Sequence, residues 1–94
     1  MNKLDTELLE NVFDSLDRLF DRETKAIDVY ALLLSTQHAL SNDDSCPKLD
    51  KYVRDLNSVV SSGESSEKQR EQALDITNSL RAILNDNLSA NLKL

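Results

Sequence analysis

One glycine and one proline in 94 residues leave the chain few of the residues that make tight turns, and there is no tryptophan and no long apolar run. Hairpin-rich sheets need turn residues at regular spacing, so their scarcity favours long helices joined by short polar turns. A single cysteine, Cys46, excludes an internal disulfide, and a single histidine, His38, excludes a two-histidine metal set or a histidine pair within one chain. No apolar stretch approaches the ~20 residues that span a bilayer, and no basic amphipathic face is available to lie on one. The N-terminus lacks the basic start, apolar run and small-residue cleavage site of a secretory signal. A cytoplasmic protein without membrane contact is expected. Eleven basic against seventeen acidic side chains give a net charge of -6. That is the wrong sign for gripping nucleic-acid phosphates, and it suits a basic partner.

What the chain does hold is helical periodicity. The stretch Ala26 to Leu40 is the most apolar, with Ile27, Val29, Tyr30, Leu33, Leu34 and Leu40 on one broad arc and Leu32 on the other side. A helix apolar that far round is expected to be the central member of a bundle. Before it, Leu8, Leu9, Val12, Phe13, Leu16, Leu19 and Phe20 recur at three- and four-residue steps, with Asp5 or Thr6 as the N-terminal cap and Thr24 as a cap for the next helix. Pro47 suits the first turn of a third helix, capped by Ser45 or Cys46, along which Leu49, Tyr52, Val53, Leu56, Val59 and Val60 form a narrow stripe. Ser61 to Gly63 stop it, and Ser66 to Gln69 has the form of a capping box. The fourth helix carries Ala73, Ile76, Thr77, Leu80, Ile83, Leu84 and Leu88 inward. These patterns predict an all-α, single-domain antiparallel four-helix bundle over 1–94, with helices at 5–20, 26–40, 47–60 and 66–87.

Candidates for chemistry are few. His38 reads as a histidine near a helix C-terminus, where its charged form suits the dipole. Cys46 matches no cysteine-hydrolase spacing and reads as a solvent-exposed side chain; an enzyme built on His38 and Cys46 is the least favoured alternative. Asn42, Asp43 and Asp44 lack the central glycine and terminal glutamate of a calcium loop and read as a solvated turn. Neither a metal nor a cofactor is expected. Tyr30 and Tyr52 read as core residues with hydroxyls at the rim, and Gln37, inside the apolar arc, needs a hydrogen-bond partner or water. Asp28, Ala31, Ser35 and Ala39 form a strip of small residues that a neighbouring helix could approach.

The first helix carries a different pattern. Glu7, Glu10, Asp14, Asp17 and Asp21 follow at steps of three, four, three and four, in one line expected to lie opposite Leu9, Val12, Phe13 and Leu16. No cation lies in the line, and Arg18 on its flank can pair with Asp14. Like-charge neighbours at these steps cost roughly 0.2 to 0.5 kcal/mol each, about 1 to 2 kcal/mol for the line. Residues 1–28 hold four basic and eight acidic side chains, so the acidity is concentrated there. An amphipathic helix in an acidic protein can present such a face to solvent alone. The other reading is a docking surface for a cationic protein, with opposed charge steering encounter and salt weakening it.

In size, charge and helical pattern the chain resembles the helical immunity proteins of bacterial toxin systems, of bacteriocin or contact-dependent-inhibition type. The stretch Leu19-Phe-Asp-Arg-Glu-Thr-Lys-Ala-Ile-Asp-Val-Tyr-Ala-Leu-Leu-Leu-Ser35 looks like the helical hairpin of such a protein. The resemblance implies a non-enzymatic inhibitor that binds a basic cognate toxin domain, frequently a nuclease. The chain lacks the Asp-Tyr-Tyr-Pro signature of the nuclease-colicin immunity family, so no binding residue is carried over. The alternative is a small helical adaptor, chaperone or regulatory subunit that binds through apolar surface. Either reading allows a monomer or a weak homodimer through Leu32 and the C-terminal leucines.

Overall fold

The structure, a computed structural model, describes residues 2–41 and 46–92. Among the described residues there are four helices: α1 (Lys3–Phe20), α2 (Ala26–Ala39), α3 (Asp50–Val60) and α4 (Ser66–Leu92). They form the expected antiparallel bundle. The run of cross-links shows the direction: Asp5 of α1 meets Ser41 beyond α2, Gln37 meets Asp50, Tyr52 meets Ser79, and Asp17 meets Arg81. Sequence neighbours pack side by side, α1 closes the ring against α4, and α2 touches α4 across the diagonal. The central position expected of α2 is therefore shared with α4. At ~1.5 Å per residue, the 27 residues of α4 reach about 40 Å, which matches the 42 Å long axis of the molecule.

Leu9, Val12, Leu16, Leu19, Val29, Leu33, Leu56, Leu80 and Leu84 make the core, each 2% exposed or less. Each such side chain contributes roughly 1.5 to 3 kcal/mol by leaving water. Ile27, Phe20 and Ile83, expected inside, are exposed instead. All three lie at the edge of their helix's apolar arc, where a shift of one step in angle leads out of the bundle. Leu32, expected outside, is half-buried against the core. The small strip Asp28, Ala31, Ser35 and Ala39, open to a neighbouring helix by expectation, is exposed instead.

Helix ends depart furthest from expectation. Asn2, not Asp5 or Thr6, caps α1: its Oδ1 accepts from the Asp5 backbone at 2.8 Å, and the Asp5 carboxylate accepts from the Asn2 backbone. Asp28, not Thr24, serves the start of α2, its Oδ2 accepting from the Lys25 backbone and the Thr24 hydroxyl, both at 3.2 Å. The capping hydroxyl of α4 is Ser65, which accepts from the Lys68 backbone at 3.2 Å. The cap expected at Ser66 is thus displaced by one residue, and the Gln69 side chain, expected to close a box, donates to the Glu64 carbonyl instead. Pro47 precedes α3 by three residues, because Cys46 and Leu49 are both buried and hold the chain against the bundle before the helix begins. Asn42 to Ser45 and Leu94 lie outside the described residues.

The turn between α1 and α2 explains how a break forms without glycine. Arg22 adopts the left-handed conformation at φ 66°. Glu23 N donates to Arg18 O at 2.8 Å and Arg22 N to Leu19 O at 3.3 Å, the bond pair of a Schellman C-cap. Arg70 of α4 then donates Nε to Leu19 O at 2.9 Å and Nη2 to Phe20 O at 2.6 Å. A side chain 51 residues away thus satisfies the last carbonyls of α1.

Candidate functional site

The three-four spacing of α1 puts Leu9, Val12 and Leu16 into the core and so turns the carboxylate line outward. Glu7, Glu10, Asp14 and Asp21 are exposed, and Asp17 is half-buried where α1 borders α4. Among the described residues, two of the five acids have ion-pair partners. Arg18 Nη2 lies 3.1 Å from Asp14 Oδ2, the pairing expected within the helix. Arg81 of α4 reaches Asp17 Oδ1 with Nη2 at 2.6 Å and Nε at 3.0 Å. Its guanidinium also sits 5.4 Å from the centre of the Phe13 ring. Charge repulsion along α1 is thereby relieved at its middle, by a cation from a different helix.

Beside the line runs the seam between α1 and α4. An open groove of about 500 Å³ is lined by Glu10, Asn11, Phe13, Asp14 and Asp17 from α1 and Asn85 and Leu88 from α4. A second, of about 340 Å³, is lined chiefly by Leu16, Phe20, Leu74, Asp75 and Asn78, with Arg81 on its wall. Asp17 lines the first groove and Arg81 the second, so their pair links the two. Phe20, 67% exposed, is the most exposed large apolar side chain among the described residues. Among the described residues, four carboxylates and one cation line the two grooves, together with Phe13, Leu16, Phe20, Leu74 and Leu88. An exposed aromatic within a polar rim is an arrangement that protein interfaces use.

No family model, curated protein or solved structure matches the chain. The reading therefore rests on geometry.

The remaining candidates resolve into structure. Cys46, expected to be exposed, is 6% exposed and donates to Asp5 Oδ2 at 3.4 Å. Burial pushes its thiol pKa up, the reverse of what a helix N-terminus would do. His38 is exposed in the last turn of α2. Gln37 finds its partner, donating to Asp50 Oδ1 at 2.6 Å. Tyr52 shares a hydrogen bond with Ser79 at 2.8 Å, so its hydroxyl reaches the rim as expected. Among the described residues no three His, Cys, Asp or Glu side chains are grouped to hold a metal ion, and no helix is long and apolar enough to cross a membrane.

Sequence reasoning found the acidic line and missed Arg81, Asp75 and the exposure of Phe20. Arg81 did carry a signal: it is the only cation between Arg70 and Lys93. Its pairing with Asp17 spans 64 residues and follows from topology alone.

Proposed function

We propose that the chain is a non-enzymatic protein-binding inhibitor, most concretely an immunity protein that neutralises a basic toxin by docking it on the α1–α4 face. The observation that supports this reading is that Glu10, Asp14 and Asp17, the middle of the carboxylate line from Glu7 to Asp21, border one open groove of the α1–α4 seam, while exposed Phe20 borders the other. The acids would steer a cationic domain into encounter, and Phe20 with its groove would anchor it. A line of like charge that weakens its own helix is retained at less cost where a partner neutralises it.

The test uses the purified chain as bait in lysate of the source organism, washed at low and then high salt, with Glu10→Gln/Asp14→Asn as the comparison. One basic protein retained by the wild type, released by salt and lost with the variant is the expected result, followed by loss of that protein's toxicity when the two are mixed. A partner retained equally by both and resistant to salt contradicts it. That outcome favours the second reading, an adaptor or regulatory subunit binding through apolar surface, for which exposed Phe20 is the supporting observation.

A further inference from the structure

Arg81 is an unusual tenant of an acidic seam. Among the described residues it is the one cation lining either groove, its guanidinium meets Asp17 through two nitrogens, and it lies over the Phe13 ring. A planar guanidinium paired with a carboxylate and set over an aromatic ring is how an arginine from another protein is bound. The pair is also solvent-accessible, with side chains 53% and 41% exposed. An exposed pair is worth little, so it exchanges readily.

We propose that Arg81 is an internal stand-in for an arginine of the docking partner, which displaces it from Asp17 and Phe13. This rests on the reading that the α1–α4 face binds a cationic protein, and it specifies the chemistry of the bound segment. Because Arg81 also walls the groove of Leu16, Phe20 and Leu74, a partner arginine on Asp17 has that apolar groove beside it. The occupant is therefore an amphipathic segment that presents an arginine next to an apolar side chain. The carboxylates Glu10, Asp14 and Asp75 around the two grooves complement further basic residues flanking that pair. When Arg81 swings away, the two grooves join into one track along α1. Free of a partner, the pair caps Phe13 and reduces the charge of the face.

The probes are a synthetic amphipathic helical peptide of leucine and arginine and a scrambled peptide of the same composition, titrated at low salt against the full chain. Arg81→Met is expected to bind the amphipathic peptide about threefold to fivefold more tightly than wild type, the scale of an exposed pair no longer competing. Lys68→Met, which removes one positive charge at the far end of α4 where Lys68 pairs with Glu64, is expected to change affinity by much less. In wild type, the Nε–H resonance of Arg81 should move toward that of a free arginine as peptide is added. Thermal unfolding of each variant checks that the fold is intact. Unchanged affinity in Arg81→Met, a gain no larger than that of Lys68→Met, or an Arg81 resonance indifferent to peptide overturns the exchange. If binding is salt-sensitive and lost in Asp14→Asn yet indifferent to Arg81, docking stands and the exchange falls. If neither wild type nor Arg81→Met prefers the ordered peptide over the scrambled one, both fall.

Discussion

Asp5 is the residue whose role is least visible from its neighbours in the chain. It is 1% exposed, and its carboxylate accepts from the Ser41 hydroxyl at 2.7 Å, the Ser41 backbone at 3.2 Å and the Cys46 thiol at 3.4 Å, besides closing the box with Asn2. One side chain thus ties the start of α1 to Ser41, just past α2, and to Cys46, further along the connection to α3. These bonds, the Ser41 hydroxyl foremost, outweigh the cost of burial and hold the carboxyl below its ordinary pKa. The unfolded chain therefore binds this proton more readily than the folded one. The stabilisation is complete above the ordinary carboxylate range, ~4, and is lost as pH falls through the lower folded value. Urea midpoints measured from neutral pH down are expected to fall in acid for wild type. Asp5→Asn should start lower at neutral pH and decline less over the same window; parallel curves would remove Asp5 from this role. Cys46 belongs to the same cluster. Its burial follows from a partner 41 residues away, which no local pattern of sequence announces.

At the scale of the element, the apolar stripes were legible because periodicity is a local property, and the helices lie close to where it puts them. Ends were less legible. The stop of α1 rests on Arg22 in a conformation that glycine or asparagine usually supplies, and on Arg70 from α4. Removing the Arg70 head group with Arg70→Met leaves the carbonyls of Leu19 and Phe20 without these donors and is expected to cost about 1 to 3 kcal/mol in urea unfolding. A change within error would mean that water replaces the guanidinium at no cost. Arg22→Gly relieves backbone strain but gives up an exposed pair with Glu67 at 2.8 Å and adds chain entropy, so a change within about 1 kcal/mol of zero is expected. Arg22→Val keeps the strain and adds a branched side chain, and it should unfold at clearly lower urea than Arg22→Gly. Equal midpoints for the two would show that the left-handed turn is not a constraint.

For the whole molecule, the division between core and face decides what each substitution does. Leu80 is fully buried, and Leu80→Ala is expected to cost about 2 to 5 kcal/mol, a large share of the roughly 5 to 14 kcal/mol that a chain of this length commands. Phe20→Ser should leave stability within about 0.5 kcal/mol while weakening capture of the partner, since the ring is spread over a groove and not packed in the core. A large loss of stability in Phe20→Ser would return that ring to the core. Bundle topology brings α4 beside the acidic line and supplies Arg81, Asp75 and Leu74 to it; the line itself could be read along α1, and its surroundings could not. Docking on the acidic face is measured by the association rate of the chain with its captured partner, for wild type and Glu10→Gln/Asp14→Asn, across a salt series. Electrostatic docking on α1 predicts a rate about tenfold or more lower for the variant at low salt, converging with wild type at high salt. Rates that coincide at every salt concentration would contradict it and leave the carboxylates as a solvated face.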